Sequence, residues 1–271
     1  MSKTDERIQA IREQLIGNTQ KRALIVEGTD DINAFESFLT KVHPDWARHW
    51  VVALAGKKTE VLAIVKKEAK WIGVVDRDEW SQQKIDDIQG EINNLWVLPR
   101  YCIENYLIVP EELWLALPVK QQAKITGGVE ALNQIIKADL LRWRCHGVLW
   151  AVINPLWEGL RIIGFKEALL DPDIATNDEE IKQKLVEWHS FLEPEQIWQQ
   201  YQQALTAVAG QSENEQFKYC FHGKLFYERV VNPLLNDLLG QKSANHRQQA
   251  IFSTLPVPDD LTPLWQKMGL V

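Results

Sequence analysis

Four short apolar runs, each closed by polar residues and followed by a helical pattern, limit what this chain can fold into. They are Ala23-Leu24-Ile25-Val26, Trp50-Val51-Val52-Ala53-Leu54, Trp71-Ile72-Gly73-Val74-Val75 and Leu95-Trp96-Val97-Leu98. None shows the polar alternation of a strand with one wet face, so each is expected to be buried on both sides. Between them lie segments with apolar residues at helical spacing: Ile32, Phe35, Phe38 and Leu39 in the first, then residues 60–70 and 81–91. Strand–helix alternation of this kind predicts an α/β fold. It should be a Rossmann-like parallel sheet with helices on both faces and right-handed crossovers. A helix over residues 5–16, with Ile8, Ile11, Leu15 and Ile16 on one side, should precede the first strand and stop at Gly17-Asn18.

The pattern changes after Pro110. Residues 111–210 are helical in period, with breaks expected at Gly127-Gly128, at Asn154-Pro155 and in the acidic stretch from Asp171 to Glu180. Residues 211–216 are polar and suggest a linker, and Phe217 to Leu239 is apolar again. The expected organisation is a sheet domain over 1–116, a helical domain over 117–210, and a helical segment over 211–271 that packs back on the sheet domain. Trp143, Trp150 and Trp157 are spaced by seven and share a helix face. A core stripe is the first expectation for them. A stacking surface for unpaired bases, beside Arg142, Arg144 and His146, and a protein interface stay open.

Bulk charge narrows the function classes. The 271 residues carry a net charge of −7, which argues against a chain that coats duplex nucleic acid through a broad basic surface. Cys102, Cys145 and Cys220 are far apart and have no zinc-ligand spacing, so reduced thiols in a cytoplasmic protein are expected. The charged N-terminus has no signal-peptide core, and no apolar run is long enough to span a membrane.

The chemistry-bearing residues stand at strand ends. Glu27 follows the first strand, and Asp76 and Asp78 follow the third. In an open parallel sheet ligands bind beyond the carboxyl ends of the strands, so these acids meet if the two strands are neighbours. Asp31, four residues after Glu27, should point back to the same spot, with Asp30 capping the helix instead. Four crowded carboxylates repel one another. A hard divalent ion, Mg²⁺ or Mn²⁺, resolves this through oxygen ligation and can activate water against a phosphodiester. Arg77, between the two aspartates, and Lys57 and Lys58, after Gly56 at the second strand's end, are either phosphate contacts or parts of a solvated edge.

At Val26-Glu27-Gly28-Thr29-Asp30-Asp31 and Val75-Asp76-Arg77-Asp78 the chain resembles the Toprim superfamily, over about residues 20–110. That superfamily's signature is Glu-Gly after strand one and Asp-x-Asp after strand three. Two further pieces narrow the resemblance. Pro99-Arg100-Tyr101-Cys102-Ile103-Glu104-Asn105-Tyr106 and His222-Gly223-Lys224 look like segments of stand-alone Toprim proteins in phage-defence loci. Those proteins are similar to the Toprim subunit of PARIS-type systems and to the nuclease end of OLD proteins. The resemblance implies a Mg²⁺-dependent nuclease acting on DNA or RNA, tRNA included, as a defence effector. It makes Glu27, Asp31, Asp76 and Asp78 the metal site and Glu104 a further metal- or water-orienting acid, with Lys224 the cation near the scissile phosphate. The implied partners are the nucleic acid and an ABC-type, OLD-like ATPase, with a homodimer as a further assembly.

Other functions compete. A non-catalytic Toprim partner docking on an ATPase would not need the acids. A haloacid-dehalogenase-type phosphatase also uses Asp-x-Asp, but there the motif opens the domain, whereas Asp76-Arg77-Asp78 closes the third strand. A receiver-like domain would need a switch threonine and a lysine at later strand ends.

Overall fold

In the computed structural model of the protein, which describes residues 2–166 and 177–271, the four apolar runs form one parallel sheet. The strands are Arg22–Val26 (β1), Trp50–Leu54 (β2), Ile72–Val75 (β3) and Leu95–Val97 (β4), in the order β2-β1-β3-β4. The first and third strands are therefore neighbours, with Leu24 opposite Ile72 and Ile25 opposite Gly73.

Both faces of the sheet are covered. On one, Ala23, Ile25, Ala53, Val75, Leu95 and Val97 pack with Ile8 and Ile11 of the helix Lys3–Ile11 (α1) and with Val61, Ile64 and Val65 of the helix Lys58–Lys67 (α3). Ile85 of the helix Gln82–Glu91 (α4) completes this layer. Gly73 permits the close approach: a Cβ there would meet Val61 Cγ1 at 2.7 Å and Val65 Cγ1 at 2.8 Å. On the other face lies the helix Thr29–Val42 (α2), which packs against β2 and buries Phe35 and Phe38 against Trp265, Tyr106 and Phe252.

Several expectations need correction. The first helix turns into a π-helix over Arg12–Ile16. That wider turn takes Leu15 out of the register of Ile8 and Ile11, and Leu15 is exposed. The supposed linker is helical from Glu213: Ser212 and Glu215 form a reciprocal cap, with Ser212 N donating to Glu215 Oε2 at 2.8 Å and Glu215 N to Ser212 Oγ at 3.3 Å. The expected break at Asn154-Pro155 is absent. The helix Leu140–Ile162 runs 23 residues through Pro155, which removes one backbone donor and leaves the turns on either side intact. The break at Gly127-Gly128 is present, with both glycines at positive φ. Of the expected acidic break, Asp171 to Thr176 lies outside the described residues, and Asn177 caps the helix Asp178–Phe191.

The chain divides into two compact units, residues 1–138 with 217–271, and residues 139–216. The expected boundaries at 116/117 and 210/211 thus fall inside units. Residues 117–138 stay with the sheet because the helix Gly128–Ile136 packs on the helix Pro110–Ala116. The second unit is helical: the helix Pro194–Ala209 packs on Leu140–Ile162, and Phe165 sits edge-on to Trp188 at 4.9 Å. The tryptophan stripe is not a core stripe. Trp143 is buried, while Trp150 and Trp157 are 41% and 59% exposed. A spacing of seven puts side chains on one helix face, but which part of that face is covered depends on the neighbours. No helix is long and apolar enough to cross a membrane among the described residues.

Candidate functional site

The carboxyl ends of β1, β2 and β3 open on a cleft of about 230 Å³. Its lining includes Glu27, Asp31, Asp76, Asp78, Glu104 and Lys224, so all six residues singled out from the sequence come together. The sheet order causes this for the first four: adjacent β1 and β3 deliver Glu27 and Asp76 side by side, and Glu27 Oε1 accepts from Asp76 N at 2.9 Å. Asp30 also lines the cleft and does not cap α2. Asp31 takes that role. The helix begins after Gly28, and Asp31 Oδ2 accepts from Gly28 N at 2.8 Å. The capping role that the sequence reading gave to Asp30 thus falls on Asp31.

Asp78 adopts a left-handed backbone, φ +49°, which for a non-glycine residue costs about 1 kcal/mol and is best tolerated by Asp and Asn. Its N–H donates to Tyr101 O at 2.8 Å. Its carboxylate pairs closely with Lys58 Nζ, which also donates to Asp76 O at 2.7 Å and lies 4.3 Å from the centre of the Trp80 ring. Lys58 is therefore no solvated turn residue. Arg77 points elsewhere, its Nη2 reaching Gln82 Oε1 at 3.5 Å.

The fourth strand leads into the segment that supplies the remaining acid. Ile103–Tyr106 forms a fully buried 3-10 turn. Three side chains anchor it. Arg100 sits 3.9 Å over the Tyr106 ring, pairs with both oxygens of Glu112 and donates from Nε to Asp260 at 2.9 Å. Tyr106 Oη donates to Asp260 Oδ1 at 2.9 Å. Asn105, wholly buried, accepts from Cys102 N at 3.0 Å and donates to Phe217 O at 2.6 Å and Phe221 O at 3.0 Å. These bonds tie the distant C-terminal segment to the strand end and bring His222 and Lys224 to the cleft. Gly223 must be glycine, since a Cβ would lie 2.2 Å from Asn105 Oδ1 and 2.8 Å from Asn105 N. Glu104 is only 5% exposed, so it is not a surface acid.

The electrostatics are those of crowded acids. Burial pushes the Asp31 carboxyl up to about 7, reinforced by the charges of Glu104, Glu27 and Asp30. Burial, then Asp31, Asp78 and Glu104, raises Asp76 well above the carboxylate range. Burial also raises Glu27, against the opposing pull of Lys58, and Glu104, against that of Lys224. Such a set favours either protonation or a cation. The all-oxygen donor chemistry suits a hard divalent ion. Three of the side chains, however, are turned onto protein donors: Glu27 onto Asp76 N, Asp31 onto Gly28 N and Asp78 onto Lys58 Nζ. Among the described residues, no group of three or more His, Cys, Asp or Glu is arranged so that it could hold a metal ion.

The sequence reading missed Tyr101, Cys102 and His222 as lining residues. They lie inside the two motif segments, and only the Asn105 bonds reveal that those segments meet. Compared with known proteins, the chain matches no family model, and no curated protein matches it significantly.

Proposed function

We propose that this chain is a divalent-metal-dependent, Toprim-type nuclease that cleaves phosphodiester bonds. One observation carries the reading. A glutamate after β1 and an Asp-x-Asp after β3, on adjacent parallel strands, open on the same cleft as Glu104 and Lys224. An acidic cleft in a chain of net charge −7 repels a polyanion unless a cation intervenes, which ties phosphate binding to the metal.

Glu27, Asp76 and Asp78, with Asp31 beside them, are the residues that would hold Mg²⁺ or Mn²⁺. The ion would supply Lewis acidity toward a phosphate oxygen and a lowered pKa for a bound water. The chain's own residues do the rest. Lys224, held at the cleft by the Asn105–Gly223 contact, offers an ammonium to a phosphate oxygen. Glu104, whose carboxyl burial raises above its ordinary range, is placed beside it for proton transfer. Tyr101 donates its hydroxyl to Glu79 and keeps the wall of the cleft in place. A role in phage defence beside an ABC-type ATPase is the biological setting that the two motif segments suggest.

The test is incubation of the purified chain with plasmid DNA, single-stranded DNA and total tRNA in Mg²⁺ or Mn²⁺, alongside Glu27→Ala and Asp76→Asn. Cleavage by the parent and its loss by at least a hundredfold in both variants is expected. Equal cleavage by the variants would sink the proposal. No cleavage of any substrate would favour a non-catalytic partner.

A further inference from the structure

Lys58 occupies an unusual position. It is the first residue of α3, where the helix dipole disfavours a cation. Its side chain is only 16% exposed. The ammonium is bracketed by the Asp78 carboxylate, the Asp76 carbonyl oxygen and the face of Trp80. Its charge also acts on Glu27. These are the partners a hard cation would seek: two oxygens from the Asp-x-Asp turn, one carboxylate and one carbonyl, with a second carboxylate, Glu27, near by. The cleft lining holds six carboxylates, those of Glu27, Asp30, Asp31, Asp76, Asp78 and Glu104, against the ammonium of Lys224, so one further cation relieves much of the repulsion.

We propose that Lys58 is an internal counter-cation of the acid cleft, seated where it competes with a divalent ion for Asp78 and the Asp76 carbonyl, so that metal entry requires its displacement. This rests on the metal-dependent reading above and deepens it. Lys58 keeps the metal-free cleft assembled and sets the threshold of divalent ion at which the site loads. Its side chain, anchored at the start of α3 and flexible over four carbons, can swing out of the cleft without moving the strand ends. Lys58 acts here as a positioning residue.

The experiment is calorimetric titration of the full chain with Mn²⁺, and separately with Mg²⁺, for the parent, Lys58→Met and Lys58→Arg, with melting temperatures in EDTA and in saturating metal. Lys58→Met should bind metal at least tenfold more tightly. It should melt lower than the parent in EDTA and recover in metal. Lys58→Arg keeps the charge and should retain weak binding close to the parent's. A merely structural lysine would give weaker or unchanged binding in Lys58→Met. If the parent binds metal and Lys58→Met binds it no more tightly, the Lys58 inference is overturned and the metal reading survives. If neither binds Mn²⁺ or Mg²⁺, both fall. If Lys58→Met folds only when metal is present, the counter-cation role is supported, and the Arg variant must then fold in EDTA.

Discussion

Replacing Asn105 by alanine tests whether the motif segment and the C-terminal segment are joined as described. The carboxamide makes one hydrogen bond to each of three buried backbone groups: Cys102 N, Phe217 O and Phe221 O. Asparagine is fully buried here, and Cys102, Phe217 and Phe221 around it are buried too. A buried polar group deprived of its partner costs about 1–3 kcal/mol. Three such groups cannot be summed naively, because they share one cavity and can relax together. An expected loss of about 4 kcal/mol follows, which lowers the melting temperature of the unit holding the sheet by about 10 °C. Asn105→Asp should be at least as damaging, since an acceptor would then face the two carbonyls of Phe217 and Phe221. Urea denaturation followed by circular dichroism gives the stability. Limited proteolysis reads the release of the C-terminal segment directly, through faster cleavage near residues 210–216. A loss below about 1 kcal/mol, with unchanged proteolysis, would refute the buried-clip argument.

Gly223→Ala should cost about 2–3 kcal/mol through overpacking against Asn105 and should also displace Lys224, whereas Gly210→Ala, where a Cβ meets nothing closer than 3.5 Å, should be near neutral; thermal melts of the pair decide this. The metal-free protein should lose stability as pH rises from about 4 to 7. Burial raises the folded-state pKa of Asp31 to about 7, so in that window the unfolded chain ionises this group while the folded chain keeps its proton. The loss is complete once pH passes the folded value. Asp31→Asn, which keeps an acceptor for Gly28 N, should flatten this part of the profile. Urea midpoints in EDTA across that range would contradict the reasoning if the parent and Asp31→Asn curves have the same slope.

The sheet and the acids at its edge were legible in the sequence because both are local signals. Wholly apolar runs such as residues 23–26 and 71–75, alternating with helical patterns, mark strands buried on both sides, and the residue after each strand is placed by the strand itself. Their adjacency was conditional: nothing in residues 22–26 or 72–75 says that β1 pairs with β3, which is a matter of crossover. The capping role of Asp31 was misassigned because Asp30 and Asp31 are chemically alike, and only the start of α2 at Thr29 separates them. The tryptophan stripe failed for a different reason. Seven-residue spacing reports which side chains share a face, while burial of that face depends on what packs there, and Trp150 and Trp157 stay exposed where Trp143 is buried.

By itself the sequence determined an α/β chain with carboxylates at the ends of its first and third strands, since strand burial and strand-end chemistry are encoded within a few consecutive residues. Only the tertiary structure decided that Lys224 joins Glu104, that Asn105 and Gly223 must touch, and that Lys58 lies among the acids rather than in solvent. Those relations link residues as many as 120 positions apart, Glu104 and Lys224, through hydrogen bonds and excluded volume, and local sequence carries no record of either.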